Sequence, residues 1–225
     1  MIKNEKLSLI FKIILAIGCF IGIILETFIA NRSSTAAMFC FYTVQSNILC
    51  LITIVWAIVR IIKKSGENKF FTILKSCSTM VITITFLIFS LLLSTKSPFL
   101  FAEPHDYANF LVHYFTPVMI ILDWLLFDKK GSYKFYYPLI WLAYPLLYTT
   151  FVFIRAAIFP PIFASTSGNL YPYPYFFFDV DVLGVFGVTK WIVVLLIASL
   201  VVGYIYVAID RLIYSLSNKR ASNKI

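Results

Sequence analysis

Charge is what this sequence has least of. Only 13% of its 225 residues are Asp, Glu, Lys or Arg, against 61% hydrophobic residues, and the mean hydropathy is +0.91. A soluble domain needs far more charge on its surface, so a freely dissolved globular protein is excluded. Acidic residues are scarcer than basic ones, 10 against 19, for a net charge of +9. The basic side chains border apolar stretches rather than alternating with bases-reading groups in a motif, so nucleic acid is not a partner. Cysteine is sparse too. Cys19, Cys50 and Cys77 fall inside apolar windows and Cys40 near the edge of one, with no disulfide framework and no zinc or iron–sulfur spacing. Neither a GxSxG elbow nor an HExxH helix is present, which removes the usual soluble lipase and metalloprotease mechanisms. No metal and no cofactor is expected.

What the chain does have is long apolar sequence. Windows that suffice to cross a hydrocarbon core of roughly 30 Å, at about 20 residues each, recur at 8–29, 40–61, 70–94, 108–127, 136–158 and 186–213. The expected fold is all-α, a compact six-transmembrane-helix bundle forming one integral membrane domain over 1–225. The first window is long and runs into LETFIANR without a small-residue cleavage site, so it is expected to be a span and not a removed signal.

Basic residues then orient the bundle. Lys3, Lys6 and Lys12, then Arg60, Lys63, Lys64, Lys69 and Lys75, then Lys129, Lys130 and Lys134, and finally Arg211, Lys219, Arg220 and Lys224 share one side if the helices alternate. Arg32, Lys96 and Lys190, with Arg155 nearby, are left for the other. The excess of positive charge predicts both termini in the cytoplasm of a multi-pass cytoplasmic-membrane protein, with membrane lipids as its immediate partners. The connection FPPIFASTSGNLYPYPYFFFDVDVLGVFG on the opposite side holds no Lys or Arg. It reads either as an aromatic belt at the headgroups or as a flap inserted above a cavity.

Polar residues inside the windows come to one depth when counted from the outer helix ends at about 1.5 Å per residue. Glu26, Thr43, Asn47, His113 and Arg155 all fall in the outer third. Thr43, Ser46, Asn47 and Cys50 share one flank of the second helix, and Gln45 points elsewhere. Gly18, Gly22 and Glu26 recur every four positions, making a face that another helix can approach closely. On the fourth helix Asn109, His113 and Pro117 are one turn apart, and the missing N–H of Pro117 is expected to free the carbonyl of His113. Burying such groups is costly, so they face the bundle or a wet cavity. Three readings fit: a Thr–His hydrolytic site, a polar packing network, or a transport or ligand-sensing pocket. Asp123 is about 15 Å farther along the helix than His113, too far to complete a triad, and reads as an anchor or interhelical bond.

At these residues the chain resembles a known family. FYTVQSNIL at 41–49 and LVHYFTPVMIILDWLLFD at 111–128, within a six-span layout covering nearly the whole chain, resemble a bacterial branch of the androgen-induced membrane protein family. Its animal members are integral membrane hydrolases that use a threonine nucleophile and a histidine on fatty acid esters of hydroxy fatty acids. Thr43 and His113 stand at the matching positions. The resemblance implies a threonine-dependent lipid ester hydrolase taking a fatty-acyl ester laterally from the outer leaflet. Asn47, Gln45 and Ser46 are then candidates for oxyanion or substrate contacts, and Glu26 and Arg155 for orienting the histidine or holding a lipid headgroup. The alternative is a non-enzymatic membrane transporter or lipid-binding protein built on the same polar groups.

Overall fold

The computed structural model describes residues 2, 4–30, 34–94, 101, 103–164 and 169–222; Lys3, Arg32, Lys96 and Lys224 lie outside them. The helices are α1 (Glu5–Ile24), α2 (Thr35–Met38), α3 (Tyr42–Ile62), α4 (Lys69–Ile88), α5 (Pro104–Phe110), α6 (Thr116–Phe127), α7 (Tyr137–Trp141), α8 (Ala143–Ile158) and α9 (Val180–Ser222). Short π turns extend α1 over Leu25–Ile29 and α4 over Phe89–Leu93, and a third, Leu111–Phe115, joins α5 to α6. Among the described residues, six segments are long and apolar enough to cross a membrane: Glu5–Ile29, Tyr42–Ile62, Lys69–Leu93, Pro104–Phe127, Tyr137–Ile158 and Val180–Lys219. The protein is an all-helical polytopic membrane bundle, with one two-residue β pairing, Phe163–Ala164 against Leu170–Tyr171, in the α8–α9 connection. Gly184 kinks the last span near its start: its φ of 64° breaks the helical path a few residues after Val180.

The surface is largely apolar, and polar side chains are buried among apolar ones in the interior. Ile14, Leu147 and Phe186 are 52%, 69% and 84% exposed, whereas Ser46, Asn47, Thr53 and Asp123 are fully buried. Two helices start on an Asn cap, Asn4 accepting from Leu7 N–H at 3.0 Å and Asn68 from Phe71 N–H at 2.8 Å. Helix α3 has no such side-chain cap. Gly18 and Gly22 do bring α1 close to a neighbour, the π turn at 111–115. A Cβ on Gly22 would lie 2.9 Å from Leu111 Cβ, and one on Gly18 would collide with the Phe115 ring.

At the end of the bundle that carries the termini, charges go inward. Lys12 of α1 meets Asp123 Oδ1 of α6 at 2.6 Å, Lys75 of α4 meets Asp123 Oδ2 at 2.7 Å, and Lys75 also pairs with Asp128. Lys12, Lys75 and Lys130 are therefore buried, not the flanking surface charges the sequence suggested. Asp123 is an interhelical bond, as its position implied. Asp210 accepts from the Tyr133 N–H at 3.0 Å, tying α9 to the α6–α7 connection.

Candidate functional site

At the opposite end Thr43 is the second residue of α3, and its Oγ1 lies 3.2 Å from Nε2 of His113. The two residues are 8% and 6% exposed. His113 Nδ1 is 3.2 Å from the Asn109 carbonyl oxygen, which can only accept. Nδ1 therefore carries the proton and Nε2 is left as an acceptor for the Thr43 hydroxyl. This is the arrangement of a nucleophile and its base, with a main-chain carbonyl where a triad would have a carboxylate.

The π turn at Leu111–Phe115 sets the histidine's direction. In its register the Thr116 N–H bonds the Leu111 carbonyl, so the next donor, residue 117, belongs to the carbonyl of Val112. Pro117 has no N–H. In that register the Val112 carbonyl is left for a side-chain donor. Asn47 Nδ2 satisfies it at 3.1 Å, and also bonds the Thr43 carbonyl at 2.8 Å. One amide thus locks the α3 turn bearing the threonine to the turn bearing the histidine. Phe89, in the π turn after α4, stacks on the imidazole with ring centroids 3.6 Å apart.

The remaining candidates separate. Ser46 bonds Thr85 Oγ1 and the Thr43 carbonyl, both at 2.9 Å, and so ties α3 to α4. Gln45 reaches back to the Phe39 carbonyl at 3.1 Å, away from the threonine–histidine pair. Both donors of Asn47 are engaged by main-chain carbonyls, so none is left for an oxyanion. Arg155 makes no ion pair with Glu26 among the described residues. Its guanidinium bonds the carbonyls of Pro160 and Pro172 and covers the Phe163 ring at 5.1 Å, which pins the α8–α9 connection onto the bundle. Glu26 has a buried Oε2 with no hydrogen-bond partner among the described residues.

The described part of that connection folds over the bundle. Its Tyr175 ring packs edge-on against Phe41 at 5.5 Å and stacks on Phe177 at 5.0 Å, while Phe178 meets Tyr148 at 6.1 Å. Beneath it a narrow, mainly apolar cleft runs between α3, α4, α8 and α9. Thr43, Phe89 and Tyr175 line it, along with Tyr42, whose buried hydroxyl has no partner among the described residues. Burial pushes the Tyr175 phenol up to about 12, against the opposing pull of the polar groups of Thr43 and Tyr42 nearby. Nothing in the sequence singled out Tyr175 from the run YPYPYFFF; only the folding back of the connection puts it beside Thr43.

Fold and site together define a class: a polytopic helical membrane protein with a hydrogen-bonded threonine–histidine pair beside an apolar cleft. Compared with family models, curated proteins and solved structures, the chain matches none.

Proposed function

We propose that the protein is an intramembrane, threonine-dependent lipid ester hydrolase. The observation that carries this reading is the 3.2 Å contact between Thr43 Oγ1 and His113 Nε2, with Nδ1 tied to a carbonyl that fixes the tautomer. A packing pair needs neither a defined tautomer nor a cleft beside it. The resemblance of residues 41–49 and 111–128 to the androgen-induced membrane hydrolases supports the same roles.

In this reading the acyl chain of the ester lies along the apolar cleft that Thr43 lines. His113 Nε2 takes the Thr43 proton as Oγ1 attacks the carbonyl carbon. The imidazolium then protonates the departing alkoxide, leaving an acyl-threonine. A water that gives its proton to Nε2 attacks this second ester, and the returned proton releases the fatty acid and restores Thr43. Neutral partners suit the site because an ion pair there would have to be desolvated for each turnover.

The test uses purified protein in detergent, a medium-chain p-nitrophenyl ester and a fluorophosphonate label. Wild type is expected to turn over and be labelled, and Thr43→Ala to do neither while melting normally. Equal turnover and labelling of the two proteins would remove the hydrolase reading and leave a ligand-binding or transport pocket. The excess of basic residues at the terminal end supports a cytoplasmic location for both termini. A C-terminal reporter that is active only outside the cytoplasm is expected to stay silent.

A further inference from the structure

At the end of the bundle that carries the termini, Glu5, Ser8 and Lys12 of α1 recur at helical spacing, as do Ala57 and Arg60 of α3 with Lys64 just after it. The small side chains of Ser8 and Ala57 leave room between the two helices. These faces line an open cavity of about 480 Å³, completed by Phe71 and Lys75 of α4 and by Phe127 and Asp128. Its wall holds four cations, Lys12, Arg60, Lys64 and Lys75, against two carboxylates, Glu5 and Asp128.

The two lysines are already matched. Lys12 bonds Ser8 Oγ at 2.9 Å and Asp123 Oδ1 at 2.6 Å, and Lys75 meets Asp123 and Asp128, so this set carries two charges of each sign. Lys129 and Lys130 nearby also have partners, Glu67 and the Trp124 carbonyl. Arg60 and Lys64 stand apart: among the described residues neither is within ion-pair distance of a carboxylate. The Arg60 guanidinium donates to the Gly66 carbonyl and lies over the Phe71 ring, 4.8 Å from its centroid. That bond occupies one of its five N–H groups, and ring and carbonyl together hold its plane.

We propose that this cavity binds a phosphate-bearing anion through the Arg60 guanidinium and the Lys64 ammonium. A held guanidinium can meet two phosphate oxygens at once with its remaining N–H groups, and an ammonium on a flexible stem adapts to a third. The ion pairs of Asp123 stay closed beneath. Two cations less the Glu5 carboxylate leave one positive charge, which suits the single negative charge of a phosphodiester better than a dianion. Phe71 and Phe127 give the rest of a lipid headgroup an apolar wall, and basic pockets between spans are where anionic headgroups bind. The inference does not use the hydrolase reading, since Thr43 and His113 lie at the opposite end.

The test takes the full chain in a neutral detergent, adds dioleoyl phosphatidylglycerol or dioleoyl phosphatidylcholine, and counts retained lipid by native mass spectrometry. Wild type is expected to retain phosphatidylglycerol in preference to phosphatidylcholine. Arg60→Gln keeps a donor for the Gly66 carbonyl but loses the charge and the fork, and is expected to weaken phosphatidylglycerol binding about tenfold or more. Lys64→Gln, at an exposed position that tolerates the change, is expected to weaken it about twofold to fivefold and carries the test should Arg60→Gln fail to fold. Inorganic phosphate separates the sources. A melting temperature raised by phosphate over chloride of equal ionic strength, in wild type and not in the variants, assigns the site to a free phosphate; a response to phosphatidylglycerol alone assigns it to lipid. A wild type that neither prefers phosphatidylglycerol nor responds to phosphate, or variants that match wild type in both, overturns the site and leaves Arg60 as a clamp on the α3–α4 connection.

Discussion

His113 and Asp123 lie ten residues apart in one helical run, Pro104–Phe127, and the two ends of that run bury polar side chains by different means. Around Asp123 the solution is charge against charge: two ammonium groups meet one carboxylate within 2.7 Å, and Asp128 takes up the surplus positive charge. Around His113 no formal charge is matched. The bonds are between neutral groups and run in one direction, and they end at a cleft. A closed set of ion pairs has nothing to give a substrate, since displacing any member leaves a buried charge alone. A directional neutral row keeps a lone pair and a proton that a substrate can take up. Burial of polar groups in the membrane is common to both ends; only the second leaves chemical capacity unused.

The widest separation of the two ends comes from removing their central residues. His113→Ala is expected to lower ester turnover by about 10²–10⁴-fold with little change in melting temperature, because it deletes the base and leaves no charge behind. Asp123→Ala is expected to do the reverse, costing about 3–5 kcal/mol of stability in detergent unfolding by stranding Lys12 and Lys75. A large activity loss without destabilisation in Asp123→Ala would break the contrast. Asn47→Leu acts on both quantities. It strips the donors from the Val112 and Thr43 carbonyls, so about 1–3 kcal/mol of stability is expected to go along with most of the turnover. Pro117→Ala returns an N–H to the carbonyl of Val112 and lets the π turn relax toward a regular helix. Turnover is expected to fall about tenfold or more from the displaced imidazole, with thermal stability equal to or above wild type. Smallest is Ser46→Ala, a hydroxyl that only ties α3 to α4. Its expected cost is about 0.6 kcal/mol, with turnover held within about twofold.

The outer frame of this protein was legible before any coordinates. The apolar windows fall on the six long apolar helices, the larger departures being the start of the fourth and both ends of the sixth. The shared flank of Thr43, Ser46, Asn47 and Cys50 also turned inward as its spacing implied. Less of the site could be read. That the Val112 carbonyl takes its bond from Asn47 follows from the π turn at 111–115, which no local propensity marks. Asn47 looked like an oxyanion donor and is a clamp. Lys12 and Lys75 looked like flanking charges and are buried pairs, since their partner Asp123 is more than forty residues away in the chain from either.

The sequence by itself determined the solvent of this protein, the number of its spans and the depth of its polar groups, because hydropathy and helical rise are local and add along the chain. Which of those groups touch was decided only in three dimensions. Each helix's rotation about its axis, and the single extra residue in the turn at 111–115, choose whether a side chain at the right depth meets a neighbour or lipid. Tyr175 depends on this most, since it sits outside every span and comes to line the same cleft as Thr43 only because Arg155 and a set of aromatic rings fold its connection back over it.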